Sequence, residues 1–463
     1  MKDTFDIFLY NTLTKQKELF TPVKKGHVSI YACGPTVYWY AHVGNMRTNI
    51  FVDVLKRTLS YNGLDVTLIM NITDVGHLTD DADDGEDKMI VAMKREGKTA
   101  YDIAEFYEKE FYKDLERLNI LQAQKYPKAT GHIPEQIAMV QELEKNGYTY
   151  VTGDGVYFDS SKLKDYGKLS GQKIEDKKAG ARVAMGDKKN ASDFALWKFS
   201  PKESKREMEW ESPWGTGFPG WAIECSAMSQ KYLGVPFDIH TGGVDHIPVH
   251  HENELAQTQG AENKLQANVW IHGDFLTVDN GKMSKSLGNL YTVDQLIEKG
   301  YDPLVFRYFT FSAHYRTKLN FTFEALDSAQ NALNRLYSTI NRWPKPGKKG
   351  AEKYEDRFLQ AVNNDLDLPN AVAVIWEMVH DKEVKQEEKS TSINKFDKIL
   401  GLDLDKHIGI ETNIPKEIID LAKQRDVARN EKNFKLSDDL RAQIEDKGFM
   451  VEDTQEGFEV YKK

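Results

Sequence analysis

The amino-acid sequence predicts an α/β protein built on a doubly wound parallel β-sheet, with an insertion and a helical C-terminal region. Three observations indicate this fold. Apolar strands alternate with an amphipathic helix before Asp74, polar motifs directly follow two of these strands, and a helical hydrophobic period begins after Tyr315. Because ligands of such sheets bind at the carboxyl ends of the strands, the polar motifs mark a candidate site.

The first predicted unit is a strand, a helix and a second strand. The segment HVSIYACG (27–34) is typical of a strand, and NMRTNIFVDVLKRTLSYNG (45–63) has apolar residues at helical spacing and a terminal glycine. The segment VTLIMNITDV (66–75) is apolar enough for a strand buried on both faces. The crossover between two such strands implies parallel pairing in a Rossmann-like fold.

An insertion is predicted at about residues 94–205. A charged amphipathic helix pair (92–121) opens it, and residues 155–171 indicate small β structure. The acidic run from Asp80 to Lys88 is interpreted as a solvated loop rather than a cation site. The sheet resumes between Trp210 and His240, where the strand FDIH is expected to lead into a turn at the following glycines.

The C-terminal region is predicted to be mainly helical. Residues 320–343 have the helical period, and a linker rich in Pro, Gly and Lys follows at 343–356. Residues 415–463 are expected to form two helices and a hairpin.

Composition indicates a soluble globular protein of several domains. The chain has 463 residues, too many for one hydrophobic core, with 40% hydrophobic and 29% charged residues. No apolar run is long enough to cross a bilayer, and the N-terminus lacks the pattern of a secretory signal. Two cysteines cannot form a disulfide framework, so we expect a cytoplasmic protein. A net charge of −10 argues against a protein that binds nucleic acid over its whole surface, but not against a local RNA site.

Both cysteines lie in polar motifs, and the sequence also contains a histidine and a glutamate that could bind a metal with them. Cys33 follows the first strand, Cys225 lies in GWAIECSAM, and His250 and Glu254 are four apart, so a helix would place them on one face. Two thiolates, an imidazole and a carboxylate form a complete zinc ligand set. The simpler alternative for each cysteine is a small residue of the hydrophobic core.

The tetrapeptide His42-Val43-Gly44-Asn45 lies where a loop becomes a helix. Unpaired backbone N–H groups and the positive end of the helix dipole suit a nucleotide phosphate there, and His42 can donate a hydrogen bond to it. Gly44 would allow an adenine ring to approach the backbone. An ordinary helix N-terminus with a polar histidine is the alternative.

A more specific motif lies at Lys282-Met283-Ser284-Lys285-Ser286. Two lysines three apart, flanked by serines and glycines, indicate a cationic loop that closes on a polyphosphate as charge builds on the leaving pyrophosphate. A solvated basic turn is the alternative.

Together these motifs resemble those of class I aminoacyl-tRNA synthetases. Within that class, CGPTVY, NITDV, WAIECSAM and HHENE, in this order, are similar to the cysteinyl-tRNA synthetases. The resemblance extends from about Leu9 through Leu319 and more loosely to the C-terminus.

The resemblance implies that Cys33, Cys225, His250 and Glu254 hold one zinc ion that binds the substrate cysteine thiolate. Zinc separates cysteine from serine because a thiolate is a much stronger ligand than a neutral hydroxyl. A purely structural zinc remains the alternative, since four protein ligands are typical of closed sites. Trp221 is expected to form a wall of the amino-acid pocket, and Thr73 to lie near the polar end of the substrate.

For ATP, the resemblance implies contacts from eight residues and a Mg²⁺ ion that accompanies the nucleotide. Asn45 stands where the family often has a second histidine, so it can donate to a phosphate but cannot be charged. His251 is expected to be either a support for the ligands or a solvated helix residue. The residues implied in ATP binding are His42, Gly44, Asn45, Gly242, Gly243, Asp245, Lys282 and Lys285.

The implied domains are a catalytic domain at 1–313, a tRNA-binding helical bundle at 314–410 and a small anticodon-binding module at 411–463. Within the catalytic domain, residues 275–313 form the signature-loop and stem-contact region. The implied partners are L-cysteine, ATP and tRNA(Cys), and a monomer without membrane contact is expected. Two alternatives are a ligase that joins cysteine to an amino sugar and an inactive RNA-binding relative. The long C-terminal region argues against the first, and the complete ligand and lysine sets against the second.

Overall fold

The computed structural model describes residues 6–76, 88–172, 188–201, 206–281, 289–410, 414–454 and 457–462. The chain divides into two compact units. The first comprises Met1–Lys299, Ala313–Asn320 and Ala361–Leu368, and the second comprises Gly300–Ser312, Phe321–Gln360 and Pro369–Lys463. The predicted Lys282–Lys285 loop, and the acidic run as far as Asp87, lie outside the described residues.

The N-terminal half of the chain alternates strands and helices. Its strands are β1 (Phe8–Asn11), β2 (Gln16–Leu19), β3 (His27–Ala32), β4 (Asp65–Met70), β5 (Thr149–Val151), β6 (Gly155–Phe158), β7 (Phe194–Phe199), β8 (Gly217–Pro219), β9 (Phe237–Gly243), β10 (Ala267–Gly273) and β11 (Leu276–Val278). Its helices are α1 (Val43–Tyr61), α2 (Lys88–Glu96), α3 (Ala100–Arg117), α4 (Ile133–Lys145), α5 (Trp221–Leu233), α6 (Glu252–Glu262) and α7 (Val293–Glu298).

The rest of the chain is mainly helical. It contains α8 (Pro303–Thr310), β12 (Leu319–Phe321), α9 (Phe323–Asn341), α10 (Glu352–Asn363), α11 (Leu368–His380), α12 (Gln386–Leu400), α13 (Lys416–Asn430), α14 (Phe434–Asp446), β13 (Phe449–Thr454) and β14 (Gly457–Lys462). The two helices and the hairpin predicted at 415–463 are present, and they share a small core of their own; it contains Ile418, Ala422, Ile444, Val451 and Val460. No described helix is long and apolar enough to span a bilayer.

The central sheet is parallel, as predicted, with the strand order β10-β9-β3-β4. Ile30 lies in register between Leu68 and Ile239, and all three are buried, which explains why these strands are apolar on both faces. The segments that follow β3, β4 and β9 therefore meet at one edge of the sheet. This edge receives Cys33, Asn71 and the residues after Gly243.

The predicted turn at Gly242 and Gly243 is wrong, because β9 continues through both glycines. A Cβ atom at Gly242 would lie 2.6 Å from Nδ1 of His246 and 2.6 Å from Cε1 of His251. The glycine is therefore required by the close approach of two imidazole rings rather than by a turn.

The helix pair expected at the start of the insertion is α2–α3, although α2 begins at Lys88, before the predicted boundary at residue 94. The region also contains α4 and strands β5, β6 and β7 of an antiparallel sheet of order β5-β6-β7-β8, whose last strand lies beyond the predicted boundary at residue 205. The sheet and α4 bury Leu143, Phe158 and Trp197 against Ile223 of α5 and Ala256 of α6. The insertion thus supports the two helices that lead to the candidate site.

Helix α1 is anchored by the buried guanidinium of Arg47, which donates to four backbone carbonyls. The acceptors are Asp274 (2.8 Å), Phe275 (2.6 Å), His314 (3.3 Å) and Thr317 (2.5 Å). Burial lowers the pKa of Arg47 to about 10, so the side chain stays charged at neutral pH. One side chain thereby ties α1 to the two segments that precede β11 and β12.

We predict that Arg47→Met lowers the free energy of unfolding by about 3 kcal/mol, because several buried carbonyls lose their donor. Denaturant unfolding monitored by circular dichroism measures the loss. Arg357→Met is the control, since the Arg357–Glu377 ion pair has side chains 40% and 51% exposed and should contribute below about 1 kcal/mol. Equal losses in both variants would contradict the anchoring role.

Candidate metal centre and nucleotide site

A cavity of about 160 Å³ opens at the carboxyl ends of β3, β4 and β9. Most of the residues predicted from the sequence line it. They are Cys33, Asn45, Thr73, Trp221, Cys225, Gly243, Asp245 and His250. Glu254 and Gly242 are buried next to it, and His42 and Gly44 lie in the first turn of α1 beside Asn45.

The four predicted metal ligands come together. One donor atom from each of Cys33, Cys225, His250 and Glu254 lies within 4.8 Å of the other three. Cys225, His250 and Glu254 are buried, whereas Cys33 is half-buried and faces the cavity. Both cysteines are free thiols. The cluster therefore combines two soft donors with an imidazole and a carboxylate.

Local helix geometry positions three of these ligands. Helix α5 begins at Trp221, so Cys225 lies one turn further along the same face. His250 belongs to a π-helical turn (Ile247–His251) that continues into α6, and its Nε2 lies 3.1 Å from Oε1 of Glu254. The expected pairing four residues apart is confirmed. The π-helical turn was not predicted, although such turns occur often at functional sites.

Two side chains donate hydrogen bonds to the carboxylate of Glu254 on the side opposite the oxygen that faces Cys33 and His250. Nε2 of His240 and Nε2 of Gln266 each lie 2.9 Å from Oε2 of Glu254. This leaves Oε1 directed towards Cys33 (3.8 Å) and His250. A ligand carboxylate oriented by such hydrogen bonds is typical of metal sites.

The electrostatics of the cluster favour a cation. Burial opposes ionisation, yet contacts with Cys33 and His250 hold the pKa of the Cys225 thiol below its ordinary value. The pKa of Glu254 is also lowered, mainly by His240 against the effect of burial. The pKa of Cys33 is raised by burial and by Cys225, because another negative charge there would be costly. A divalent cation would remove that cost, and Nδ1 of His250 has no hydrogen-bond partner among the described residues.

A second combination of donors also meets the distance criterion. Cys33 and Glu254 are shared, while His240 and His251 replace Cys225 and His250. In this set Nε2 of His240 already bonds to Glu254, and neither histidine lines the cavity. We therefore favour the set with Cys225 and His250, which faces the cavity.

His251 is fully buried, so the expectation of a solvated position is wrong. Its Nε2 lies 3.1 Å from Sγ of Cys33, and its Nδ1 is joined to Nε2 of His272 at 2.7 Å. Nδ1 of His272 in turn lies 2.8 Å from Oγ1 of Thr12. This line of hydrogen bonds connects Cys33 through His251 and His272 to Thr12.

Trp221 and Thr73, which are predicted to contact the amino acid, both line the cavity. The Trp221 ring lies 4.3 Å from the His250 ring, centroid to centroid. The Thr73 hydroxyl donates to Oε2 of Glu224 at 3.2 Å and accepts from Nδ2 of Asn71 at 3.0 Å.

Sequence reasoning missed Asn71, Glu224 and Lys88, whose Nζ lies 5.9 Å from the centre of the Trp221 ring. Two signals were available: Asn71 lies in the polar motif that follows β4, and Glu224 lies next to Cys225 in the chain.

The part of the cavity that is predicted to bind the nucleotide is formed by the N-terminus of α1. His42 and Asn45 form a reciprocal cap, in which Asn45 N–H donates to Nδ1 of His42 (3.2 Å) and His42 N–H donates to Oδ1 of Asn45 (3.1 Å). Because Nδ1 accepts, the neutral imidazole has its proton on Nε2. Thr48 and Asn49, one turn along α1, line the cavity as well and were not predicted.

Asp245 lines the cavity directly after β9 and folds back over Gly243, where a Cβ atom would collide with its carboxylate. Lys282 and Lys285 lie outside the described residues, so their part in the site remains a prediction.

Comparison with known proteins agrees with this geometry. The family model described as "tRNA synthetases class I (C) catalytic domain" matches residues 19–331. The solved structure of Mycobacterium tuberculosis methionyl-tRNA synthetase in complex with methionyl-adenylate has a similar fold, with a TM-score of 0.56 and 15% identity. The match covers 83% of this chain and 92% of that one.

Two curated relatives are similar over nearly their whole length. The "Cysteine--tRNA ligase 1" of Burkholderia lata is 49% identical over 450 residues, covering 97% of this chain and 95% of that protein. The "Cysteine--tRNA ligase" of Treponema denticola is 42% identical over 491 residues, covering 98% and 99%. The family model matches more than half of this chain, and both relatives match it almost from end to end. The chain therefore belongs to the cysteine–tRNA ligases of the class I aminoacyl-tRNA synthetase family.

Proposed function

We propose that this protein is a cysteine–tRNA ligase that activates L-cysteine with ATP and transfers the cysteinyl group to the 3′ end of tRNA(Cys). A zinc ion held by Cys33, Cys225, His250 and Glu254 selects the substrate. The observation that carries the proposal is the convergence of these four donors, within 4.8 Å of one another, on a cavity that also receives the N-terminus of α1.

The donor set suits zinc because it combines two sulfur atoms, one nitrogen atom and one oxygen atom. Zinc bound there would supply a soft Lewis acid that favours a thiolate over a hydroxyl. The cavity volume of about 160 Å³ suits a small side chain, and Trp221 closes one wall beside His250. Thr73 presents a hydroxyl that Asn71 and Glu224 hold in place, suitable for the polar end of an amino acid.

ATP binds on the α1 side of the cavity. The Nε2–H of His42 and the amide of Asn45 donate to phosphate oxygens, aided by the helix N-terminus. Gly44 permits close approach of the adenine ring, Gly243 lines the cavity beside it, and Asp245 accepts from ribose hydroxyls. Lys282 and Lys285 act on charge that develops on the leaving pyrophosphate, and Mg²⁺ accompanies the nucleotide. The cysteine carboxylate attacks the α-phosphate, so no protein nucleophile is required.

We further propose that the helices after residue 314 and the module at 411–463 bind tRNA, and that the protein is a cytoplasmic monomer. The terminal module supports the first point because exposed basic residues lie at the end of α13 and the start of α14: Arg429, Lys432 and Lys435. The two free cysteines are consistent with a reducing compartment.

The zinc site predicts different outcomes for neighbouring histidines. His250→Gln and Cys225→Ser should reduce zinc from about one per chain to a small fraction, because a ligand is lost. His251→Gln and His240→Gln should retain zinc with affinity reduced by about 10–100-fold, as expected for supporting residues. Metal analysis after titration with a chelator measures the difference. Zinc loss confined to the His251 and His240 variants would identify the second donor set instead.

Lys285→Ala should slow cysteine-dependent ATP–pyrophosphate exchange, because loss of the lysine raises the free energy of the transition state by about 2–4 kcal/mol. The KM for cysteine should remain nearly unchanged. Steady-state exchange kinetics provide both values. Lys264→Ala is the control, since Lys264 is exposed and lies 4.0 Å from Glu262. A raised KM for cysteine with an unchanged rate would contradict the assigned role.

A chain that ends at Ile410 should keep cysteine-dependent exchange and lose most of its tRNA charging. The removed residues have their own small core, and every residue assigned to zinc, ATP and cysteine precedes Asn289. Exchange and aminoacylation assays on the same preparation separate the two steps. Full-rate charging by the shortened chain would contradict the RNA-binding assignment.

A further inference from the structure

A cluster of flat side chains lies beside the nucleotide site and has no part in the chemistry described above. We call it the Trp39 platform and define it by Trp39, Tyr40, Arg95, Lys98 and Phe106. The Arg95 guanidinium carbon lies 3.7 Å from the centre of the Trp39 ring, so the two planes are in contact. The Tyr40 ring contacts Trp39 edge to face at 5.9 Å and Phe106 at 6.1 Å, and Nζ of Lys98 lies 4.8 Å above Phe106.

The platform is held rigidly from below. Nη2 of Arg95 donates to the Tyr38 carbonyl (3.2 Å), to Glu96 (2.5 Å) and to the Tyr107 hydroxyl (3.3 Å). The hydroxyl of the buried Tyr107 donates to the same Glu96 carboxylate at 2.6 Å. Arg95 is exposed, yet these polar partners fix the orientation of its side chain.

The outer surface of the platform is accessible. Arg95 and Lys98 are exposed, and Trp39, Tyr40 and Phe106 are partly exposed. Exposed ion pairs and cation–π contacts contribute about 1 kcal/mol or less to stability. Folding alone therefore gives little reason to place three aromatic rings and two cations at one surface.

The position of the platform relates it to the cavity. Thr36 and Asn45 both line the cavity, and the segment Tyr38–Tyr40 connects them. Val37 N–H also donates to the carbonyl of Thr73, another residue of the cavity lining, at 3.1 Å. Trp39 is three residues from Thr36, so their Cα atoms are at most about 11 Å apart. The platform is thus part of the cavity rim.

We propose that the Trp39 platform binds the single-stranded 3′ end of the tRNA by stacking its bases on Trp39, Tyr40 and the outer face of Arg95. This rests on the proposed function, because transfer of the cysteinyl group requires that end of the RNA at the cavity. Unpaired bases stack on aromatic rings and guanidinium planes, and lysines neutralise the adjoining phosphates. Apart from Trp221, the cavity lining near α1 consists of small polar residues that offer no such surface.

The test compares two RNAs in equilibrium binding to the full-length protein. One is the intact tRNA and the other lacks the terminal two nucleotides of the 3′ end. Arg95→Ala and Trp39→Ser should each weaken binding of the intact RNA by about tenfold, as expected for loss of a stacking contact, and should leave binding of the shortened RNA unchanged. Trp39→Phe, which keeps an aromatic face, should restore most of the affinity.

Lys109→Ala is the control for loss of charge, because Lys109 is an exposed lysine of the neighbouring helix α3 paired with Glu105. This substitution should lower the binding affinity for both RNAs by the same factor or leave it unchanged. An equal loss for both RNAs in Arg95→Ala would overturn the proposal, as would unchanged affinity for the intact RNA. If Trp39→Ser does not fold, the Arg95→Ala comparison decides alone.

Pyrophosphate exchange by the unmodified protein separates the two hypotheses. Absence of cysteine-dependent exchange would contradict the proposed function. The difference in how the variants bind the intact and the shortened RNA tests the platform alone.

Discussion

The buried carboxylate of Glu254 is the interaction on which the candidate site depends. Burial alone would raise its pKa, but His240, and then His250, hold the pKa below its ordinary value. These partners come from different elements: His240 from β9, His250 from the π-helical turn, and Gln266 from the residue before β10. Loss of a partner from a buried charge destabilises the fold by several kcal/mol. The contacts that hold Glu254 therefore stabilise the parallel sheet and orient the site at the same time.

Much of the site could be predicted because its residues obey rules that act along the chain. Cys33 follows a strand, Trp221 and Cys225 are one helical turn apart, and so are His250 and Glu254. His240 and Gln266 could not be predicted as supports, because they lie beside apolar strand residues and their partner is distant in sequence. Helix α5 gave only a weak periodic signal because it is buried on nearly every side from Ala222 to Ser229. Spacing also could not distinguish the two donor sets, which share Cys33 and Glu254; the cavity lining does.

Helix α1 connects the binding side of the molecule to its framework. Its first turn contains the His42–Asn45 cap, and Arg47, two residues later, binds the carbonyls of Asp274 and Phe275. Those residues directly precede β11, the strand from which the chain continues towards Lys282 and Lys285. The position of the cap and the start of the proposed lysine loop therefore depend on the same buried guanidinium. In the proposed function, the loop approaches phosphates that are held at the cap. A common anchor restricts both segments before the nucleotide binds, so less conformational entropy is lost on binding.

The two proposed recognition surfaces of the cavity differ in their environment, and this difference matches what each would recognise. The donor cluster is buried, so its electrostatic interactions are weakly screened and a change of one atom in a ligand, sulfur to oxygen, has a large effect on binding. The Trp39 platform is at the surface, where charges are screened and stacking tolerates any base. Discrimination of a small amino acid therefore falls to the interior of the site. In the proposed function, the rim guides the RNA strand without distinguishing its bases.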